Sequence, residues 1–144
     1  QIEQIPPLLD LLFELGFDGV NFGNTSTNYV KRREMIHPSE RDLYDFFTIS
    51  KEFGVGGGVS GRPLKEDSLA LSARAVEYLN SGKPTQEFHV IRTGGIEYAK
   101  DLIESDQAGV SLNQWFTGHW EQFSKYGHKM YKILYENYLK LQRN

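Results

Sequence analysis

Phe88-His89-Val90-Ile91-Arg92-Thr93-Gly94-Gly95-Ile96 and, further on, Gly109-Val110-Ser111-Leu112-Asn113-Gln114-Trp115-Phe116-Thr117-Gly118 write one pattern twice. A short apolar run gives way to a turn of small polar residues, and a helical periodicity follows. Phe88–Arg92 reads as a strand, Thr93-Gly94-Gly95 as a turn, and 96–105 as a helix with Ile96, Ala99, Leu102 and Ile103 inward. Residues 109–115 read as the next strand and Thr117-Gly118 as its turn. One long helix at about 121–141 follows, with Phe123, Tyr126, Met130, Ile133, Leu134 and Leu141 on one side. Strands that alternate with helices imply a parallel sheet, because a parallel partner is reached only through a crossover.

Upstream the pattern occurs once more, interrupted. Ile2, Ile5, Leu8, Leu9, Leu12 and Phe13 stand at helical spacing, and Gly16 is placed to stop that helix. Phe17–Phe22 reads as a strand that ends in Gly23-Asn24-Thr25-Ser26-Thr27-Asn28. Lys31-Arg32-Arg33-Glu34 reads as a solvated face, and His37-Pro38-Ser39-Glu40 as a turn into a helix at about 39–52 with Ser39 as its N-cap. Residues 54–61 hold five glycines in eight positions, the strongest loop signal in the chain. Pro63 then leads to a helix at about 66–80, apolar at Leu69, Ala73, Val76 and Leu79 and ended by Asn80, Gly82 and Pro84. The expected order is one helix and then three βα units, an α/β fold with 29–53 inserted in the first unit. Strands are expected near 17–22, 88–92 and 109–115.

Composition narrows the function classes. A chain of 144 residues can bury a core, and 39% hydrophobic residues are too many for a disordered one. The net charge of -3 gives no ground for a nucleic-acid partner. The absence of cysteine removes disulfides, thiolate metal sites and a cysteine nucleophile. His37, His89, His119 and His128 form no metal-binding spacing such as HExxH, so no metal site is expected; His89 reads as structural. No run approaches the ~18 apolar residues of a membrane span, and no signal peptide is visible. With Gln1 in place of Met and a helix expected to start almost at once, the stretch is expected to be an excerpt of a longer chain.

Ligands of α/β proteins bind at strand C-termini, and here those ends are rich in Gly, Thr and Asn. Gly94-Gly95 is either a plain tight turn or a phosphate site, where glycine admits an oxyanion to free N–H groups at a helix start. Thr117-Gly118, ending the next strand, adds a second turn of the same kind. Gly94, Gly95, Phe116 and Thr117 are therefore expected to converge on one anion site, with a helix starting at Ile96 aimed at it. The loop 54–61 is either a flexible linker or a wrap around a ligand. Val55, Val59 and the direct run into a Pro-capped helix favour the wrap. Asn24-Thr25-Ser26 has the form of a glycosylation acceptor. Its position at a strand end equally suits an amide and a hydroxyl reading the C=O and N–H edge of a planar ring. Trp115, Trp120 and the tyrosines of the last helix read as core and helix packing.

Four blocks in order carry a resemblance. Asp18-Gly19-Val20 with Asn24-Thr25-Ser26 resembles the DG(I/V)-x-x-(T/S)NTT segment of dihydroorotate dehydrogenases. Gly57-Gly58-Val59-Ser60-Gly61-Arg62-Pro63-Leu64 is similar to their GGLSGxPL loop, and Ser68-Leu69 continues it. Val90–Ile96 is similar to II-x-VGGI, and 108–118 to AGASLVQ-x-Y(S/T)G. The resemblance implies the C-terminal half of an FMN-binding (β/α)8 TIM barrel that oxidises dihydroorotate to orotate in pyrimidine synthesis. By position, Asn24 and Thr25 would contact the pyrimidine, while Gly61, Gly94, Gly95, Phe116 and Thr117 would cradle FMN, largely through backbone N–H groups. The catalytic base and the flavin-side lysine of the family lie upstream, so no catalytic residue is expected in this stretch. The Arg62-Pro63-Leu64 wording favours the quinone-linked, membrane-associated class, at the cytoplasmic face or the mitochondrial inner membrane; a soluble class would be cytoplasmic. Gly23 in place of Thr or Ser, Phe116 in place of Tyr, Thr93 in place of Val, the 29–53 segment and the lost wording after Gly118 mark a divergent member. Another FMN barrel oxidoreductase, or a flavin-less pseudoenzyme kept for structure or interaction, stands as the alternative.

Overall fold

The computed structural model describes residues 2–48, 56–82 and 86–143. Helix α1 (Ile5–Glu14) precedes β1 (Gly19–Gly23). Two short helices, α2 (Tyr29–Arg33) and α3 (Arg41–Thr48), follow, and α4 (Lys65–Asn80) returns to the sheet. Then come β2 (His89–Thr93), α5 (Ala99–Gln107), β3 (Leu112–Gln114), α6 (Thr117–Tyr126) and α7 (Met130–Gln142). The strands form one parallel sheet in the order β1-β2-β3. Gly19 pairs with His89 through to Gly23 with Thr93, and Ile91 to Thr93 pair with Leu112 to Gln114. The expected three parallel βα units are present, each strand starting one to three residues later than the hydrophobic runs begin.

The two faces of the sheet are chemically distinct because side chains alternate along a strand. On the helix side, Phe22 and Val90 pack with Ile5 and Leu9 of α1 and Ala75 of α4 in the main core. Phe13 and Phe88 meet edge to face, their centroids 4.6 Å apart. Gly16, at φ 75, ends α1 as expected: its N–H bonds Phe13 O and that of Phe17 bonds Leu12 O, the paired bonds of a Schellman stop. Of the residues read at helical spacing, Leu8 in α1 and Ile2 in the 3-10 turn before it are exposed. The opposite sheet face carries Asn21, Thr93 and Gln114, joined into one layer by bonds of 2.7 to 3.0 Å.

The outer layer departs from the expected apolar stripes. On α4 the buried positions are Ser68, Ser72 and Ala75, with Leu69 and Ala73 only half buried. On α5 they are Ala99, Asp101 and Ser105, with Leu102 and Ile103 half buried. The cause is Arg92, whose side chain is fully buried between these two helices. The other boundaries shift for local reasons. α5 begins at Ala99, not Ile96, because Asp101 caps it from within. The expected long last helix is broken by Gly127 at φ 54, which ends α6 and starts a 3-10 turn into α7. The helix expected at 39–52 opens with a 3-10 turn at Pro38–Glu40 capped by His37, not Ser39: the imidazole accepts from Ser39 N–H. Its last residues, and Gly54, Val55 and Pro84, lie outside the described residues.

The basic run 31–34 is a solvated face only in part: Lys31 and Glu34 are exposed, and Arg33 is half-buried. Arg32 is buried, donating to Pro63 O at 2.7 Å and pairing with Asp67 at the start of α4. Arg33 holds Asp45 with both nitrogens at 2.7 to 2.9 Å, which fixes α3 against α2. That bidentate pair holds the Asp45 carboxyl below its ordinary range. Long cationic side chains thus tie α2 to the start of α4 and to α3.

The core accounts for a stability contrast between a residue of α1 and its C-cap. Leu9 is wholly buried and Leu15 is 63% exposed. In urea unfolding of the complete protein, Leu9→Ala is expected to cost about 2–5 kcal/mol, while Leu15→Ala stays within roughly 0.5 kcal/mol of the parent. Equal losses would mean that α1 does not pack on this sheet as described.

Candidate functional site

A cavity of about 290 Å³ opens where the three strands end. Asn24 and Thr25 reach it from the end of β1, Gly94 and Gly95 from β2, Phe116 and Thr117 from β3, and Gly61 from the glycine loop. Seven residues singled out in the sequence, from four segments, thus line one space. Ser60, Trp115 and Gly118 join them. Trp115 is therefore a half-buried wall of the cavity, not a core residue.

Close backbone approaches hold these segments together. Asn24 takes φ 84, the one positive value at a non-glycine position among the described residues; Asn tolerates this region better than most. Its N–H bonds Thr93 O at 3.0 Å, carrying the β1–β2 pairing past the strand end. Ser26 and Val59 exchange bonds of 3.0 and 2.9 Å, which pins the glycine loop over the Asn24-Thr25 turn. Gly58 packs on Thr25 so closely that a Cβ would stand 2.3 Å from its Oγ1. The loop is thus a wrap and not a linker over its described part. Gly23 leaves no space for the hydroxyl residue usual in the resembling sequences: a Cβ there would lie 1.8 Å from Thr93 O.

The glycines of the cavity have a different rationale from the one expected. A Cβ on Gly95, at φ 76, would lie 2.3 Å from the backbone N and Cα of Lys65. One on Gly61, at φ 78, would lie 2.8 Å from Thr117 Cγ2. These positions need glycine for positive φ and for loop-on-loop packing, which shapes the cavity, and not for direct clearance of a ligand. Gly118 is tighter still, with a Cβ 2.1 Å from Ile96 O, so α6 starts directly on the backbone of the Gly94-Gly95 turn.

The cavity is lined by uncharged hydrogen-bond donors, a lining of the kind that suits an anion. Among the described residues, the N–H groups of Gly61, Gly94 and Gly95 donate to no protein acceptor. The α6 N-terminus at Thr117 has no side-chain cap, and first-turn N–H groups have no partner within a helix. Thr117 Oγ1 and Ser60 Oγ lie 3.0 Å apart and add hydroxyls. No Asp or Glu among the described residues lines the cavity. The helix N-terminus available here belongs to α6 and not, as expected, to the helix after Gly95. In α5, Asp101 takes the N–H groups of Glu97 and Tyr98 at 2.9 and 2.8 Å.

Behind the turn lies a polar network that sequence periodicity did not reveal. The Arg92 guanidinium, 0% exposed, donates to Ser68 Oγ, Ser105 Oγ, Lys65 O and Asp101 O. Burial pushes it below the ordinary arginine value. Asp101 pairs instead with Lys65 Nζ at 2.5 Å. Burial alone would raise its carboxyl, but the Lys65 ammonium and the Tyr98 and Glu97 N–H groups outweigh that and hold it below the usual carboxylate range. Beyond the cavity rim His119 is ringed by aromatic side chains, stacked on Phe123 and edge-on to Trp115 and Trp120. Phe116, Trp120 and Tyr131 in this group are exposed, so it is a surface cluster and not core.

Comparison with known proteins places this geometry. The family model described as dihydroorotate dehydrogenase matches residues 2–136. The chain belongs to the dihydroorotate dehydrogenase family. The dihydroorotate dehydrogenase (quinone) of Streptomyces griseus subsp. griseus is 33% identical over 115 residues, covering 80% of this chain and 26% of that protein. The protein of the same name from Chromobacterium violaceum is 32% identical over 117 residues, covering 81% of this chain and 28% of its own length. A crystal structure of DHODH from Eimeria tenella in complex with ferulenol superposes with a TM-score of 0.56 at 25% identity, over 82% of this chain and 26% of that one. The chain therefore spans about a quarter of the length of these relatives. Its three parallel βα units are units of the dihydroorotate dehydrogenase (β/α)8 barrel, with the cavity at the strand C-termini.

Gly118 tests whether the two turns must touch. Gly118→Ala forces α6 off the Ile96 carbonyl, so overpacking is expected to cost about 1–3 kcal/mol in thermal or urea unfolding of the complete protein. Gly127→Ala is the comparison: that glycine has open space around it and only its positive φ to lose. A Gly118 variant as stable as the parent would show that the turns are not in contact.

Proposed function

We propose that the complete protein oxidises dihydroorotate to orotate with FMN, and that this stretch supplies the phosphate site and one edge of the pyrimidine site. It would be the C-terminal half of the barrel, with 29–53 as an insertion. One observation carries the reading: the donor-rich, carboxylate-free turns after β2 and β3 and the Asn24-Thr25 turn after β1 share a single cavity. A dianionic phosphate is suited by converging N–H groups and a helix N-terminus. The N–H groups of Gly61, Gly94 and Gly95, with the start of α6 at Thr117, are the donors that fit it. Phe116 contributes backbone, its side chain being 73% exposed, so the exchange of Tyr for Phe leaves that contact intact.

Bound FMN would supply the two-electron acceptor for the dihydropyrimidine ring. The chain's own part is to hold and orient. Asn24, fixed by its bond to Thr93 O, presents one donor and one acceptor from a rigid turn. Thr25, packed under Gly58, adds a hydroxyl beside it. Such a pair matches the alternating C=O and N–H edge of orotate, and a rigid turn limits the ordering cost on binding. The proton-abstracting base belongs to the remainder of the barrel. Quinone as electron acceptor is supported by the names of the relatives and by Arg62-Pro63-Leu64. With a quinone acceptor the protein would sit peripherally at a membrane, held by regions beyond this stretch. No helix among the described residues is long and apolar enough to cross one.

Asn24→Ala in the complete protein removes one partner of a matched amide pair. Dihydroorotate turnover or affinity is expected to fall roughly ten- to a hundredfold, while flavin content at purification stays near that of the parent. Loss of flavin with unchanged orotate affinity would assign Asn24 to the cofactor and overturn the substrate-edge role.

A further inference from the structure

The peptide that joins Gly94 to Gly95 is held from behind by two side chains. Ser68 Oγ lies 2.7 Å from Gly94 O and 3.0 Å from Arg92 Nε. A guanidinium only donates, so Ser68 Oγ accepts from Arg92, and its single proton must go to a carbonyl. Two carbonyls are in range. Lys65 O lies at 3.1 Å, but it already accepts from Arg92 Nη2 at 2.9 Å. Gly94 O is the closer acceptor and takes the proton. The serine thereby works in one direction, from arginine to turn, with both groups buried.

The geometry of a trans peptide turns this into a statement about the cavity. C=O and N–H of one planar unit point in opposite directions. Gly94 O is directed at Ser68, behind the turn, so Gly95 N–H is directed away from it. Gly95 lines the cavity, and among the described residues its N–H has no protein acceptor. Positive φ at both glycines, 108 and 76, makes this turn one that could adopt other peptide orientations at little cost without such a hold.

We propose that Arg92 and Ser68 are positioning residues that lock the Gly94–Gly95 peptide so that Gly95 N–H faces the anion in the cavity. This rests on the reading of that anion as the phosphate of FMN. The x position of the II-x-VGGI pattern would then act on cofactor selection through a relay, without touching the ligand. Ser105 provides the internal control. It accepts from the same guanidinium at 2.8 Å and donates to Asp101 O at 3.0 Å, with no bond to the turn.

The test compares FMN with riboflavin, which lacks the phosphate, by fluorescence titration of the flavin-stripped complete protein. Ser68→Ala is expected to weaken FMN roughly ten- to a hundredfold, the effect of losing one aligned bond to a charged group, and to leave riboflavin affinity unchanged. Ser105→Ala, losing an equivalent buried bond, should keep the parent's ratio of FMN to riboflavin affinity. Ser68→Cys, which keeps a weak donor in a similar volume, should fall between parent and alanine. An unchanged ratio in Ser68→Ala overturns the relay, as does an equal loss in both alanine variants. A parent protein that binds both flavins equally, or neither, overturns the FMN reading itself and not the relay's geometry.

Discussion

Two parallel pairings, Gly19–Gly23 beside His89–Thr93 and Ile91–Thr93 beside Leu112–Gln114, constrain everything else in this chain. Parallel strands all end on the same side, and each crossover must return behind the sheet. The segments that follow the strands therefore meet at one edge whatever their sequence. What the sequence adds is the closeness of that meeting. Asn24 extends the first pairing onto Thr93 O, Gly118 sets α6 on Ile96 O, and Ser26 ties the glycine loop to the first turn. A cavity bordered by free N–H groups and hydroxyls, with no described carboxylate, follows from those approaches.

The same sheet carries an arginine on its helix side, where apolar residues usually stand. Burying a guanidinium is costly unless its donors are met. Here four oxygens from α4 and α5 meet them, and the inward positions of both helices are correspondingly polar. Lys65 and Asp101 belong to the same cluster and balance each other's charge. Removing a member would leave its direct partners one bond short in a largely buried layer. The cluster's position directly behind Gly94-Gly95 connects the packing of the outer helices to the shape of the candidate site.

Much of this was legible in the residues. The three hydrophobic runs with Gly-rich ends fixed the parallel βα order, and Gly61, Asn24, Thr25 and the four turn residues do share a cavity. What escaped reading has identifiable causes. Periodicity counts apolar side chains, so it assigned Leu102 and Ile103 inward where Asp101 and Ser105 are, because the partner across the interface is Arg92. A charged run reads as solvated by default, yet Arg32 is buried, since Pro63 O and Asp67 lie within its reach. Ile96 looked like a helix start, but the Asp101 carboxylate caps the chain three residues later. The gap between Tyr126 and Met130 rests on the φ of one glycine, which apolar spacing on either side cannot show. The hydrogen-bond direction at Gly94 depends on contacts across the fold, from residue 68 to residue 94, and no local pattern encodes it.

The central claim is that the turns after β2 and β3 hold the phosphate of a flavin whose ring extends toward Asn24. A crystal structure of the complete protein with its bound flavin tests it most directly. The account predicts phosphate oxygens about 2.7–3.2 Å from the backbone nitrogens of Gly95 and Thr117, with the isoalloxazine ring lying between that site and Asn24. A flavin phosphate bound at any other place on the chain, with this cavity filled by solvent, would contradict it.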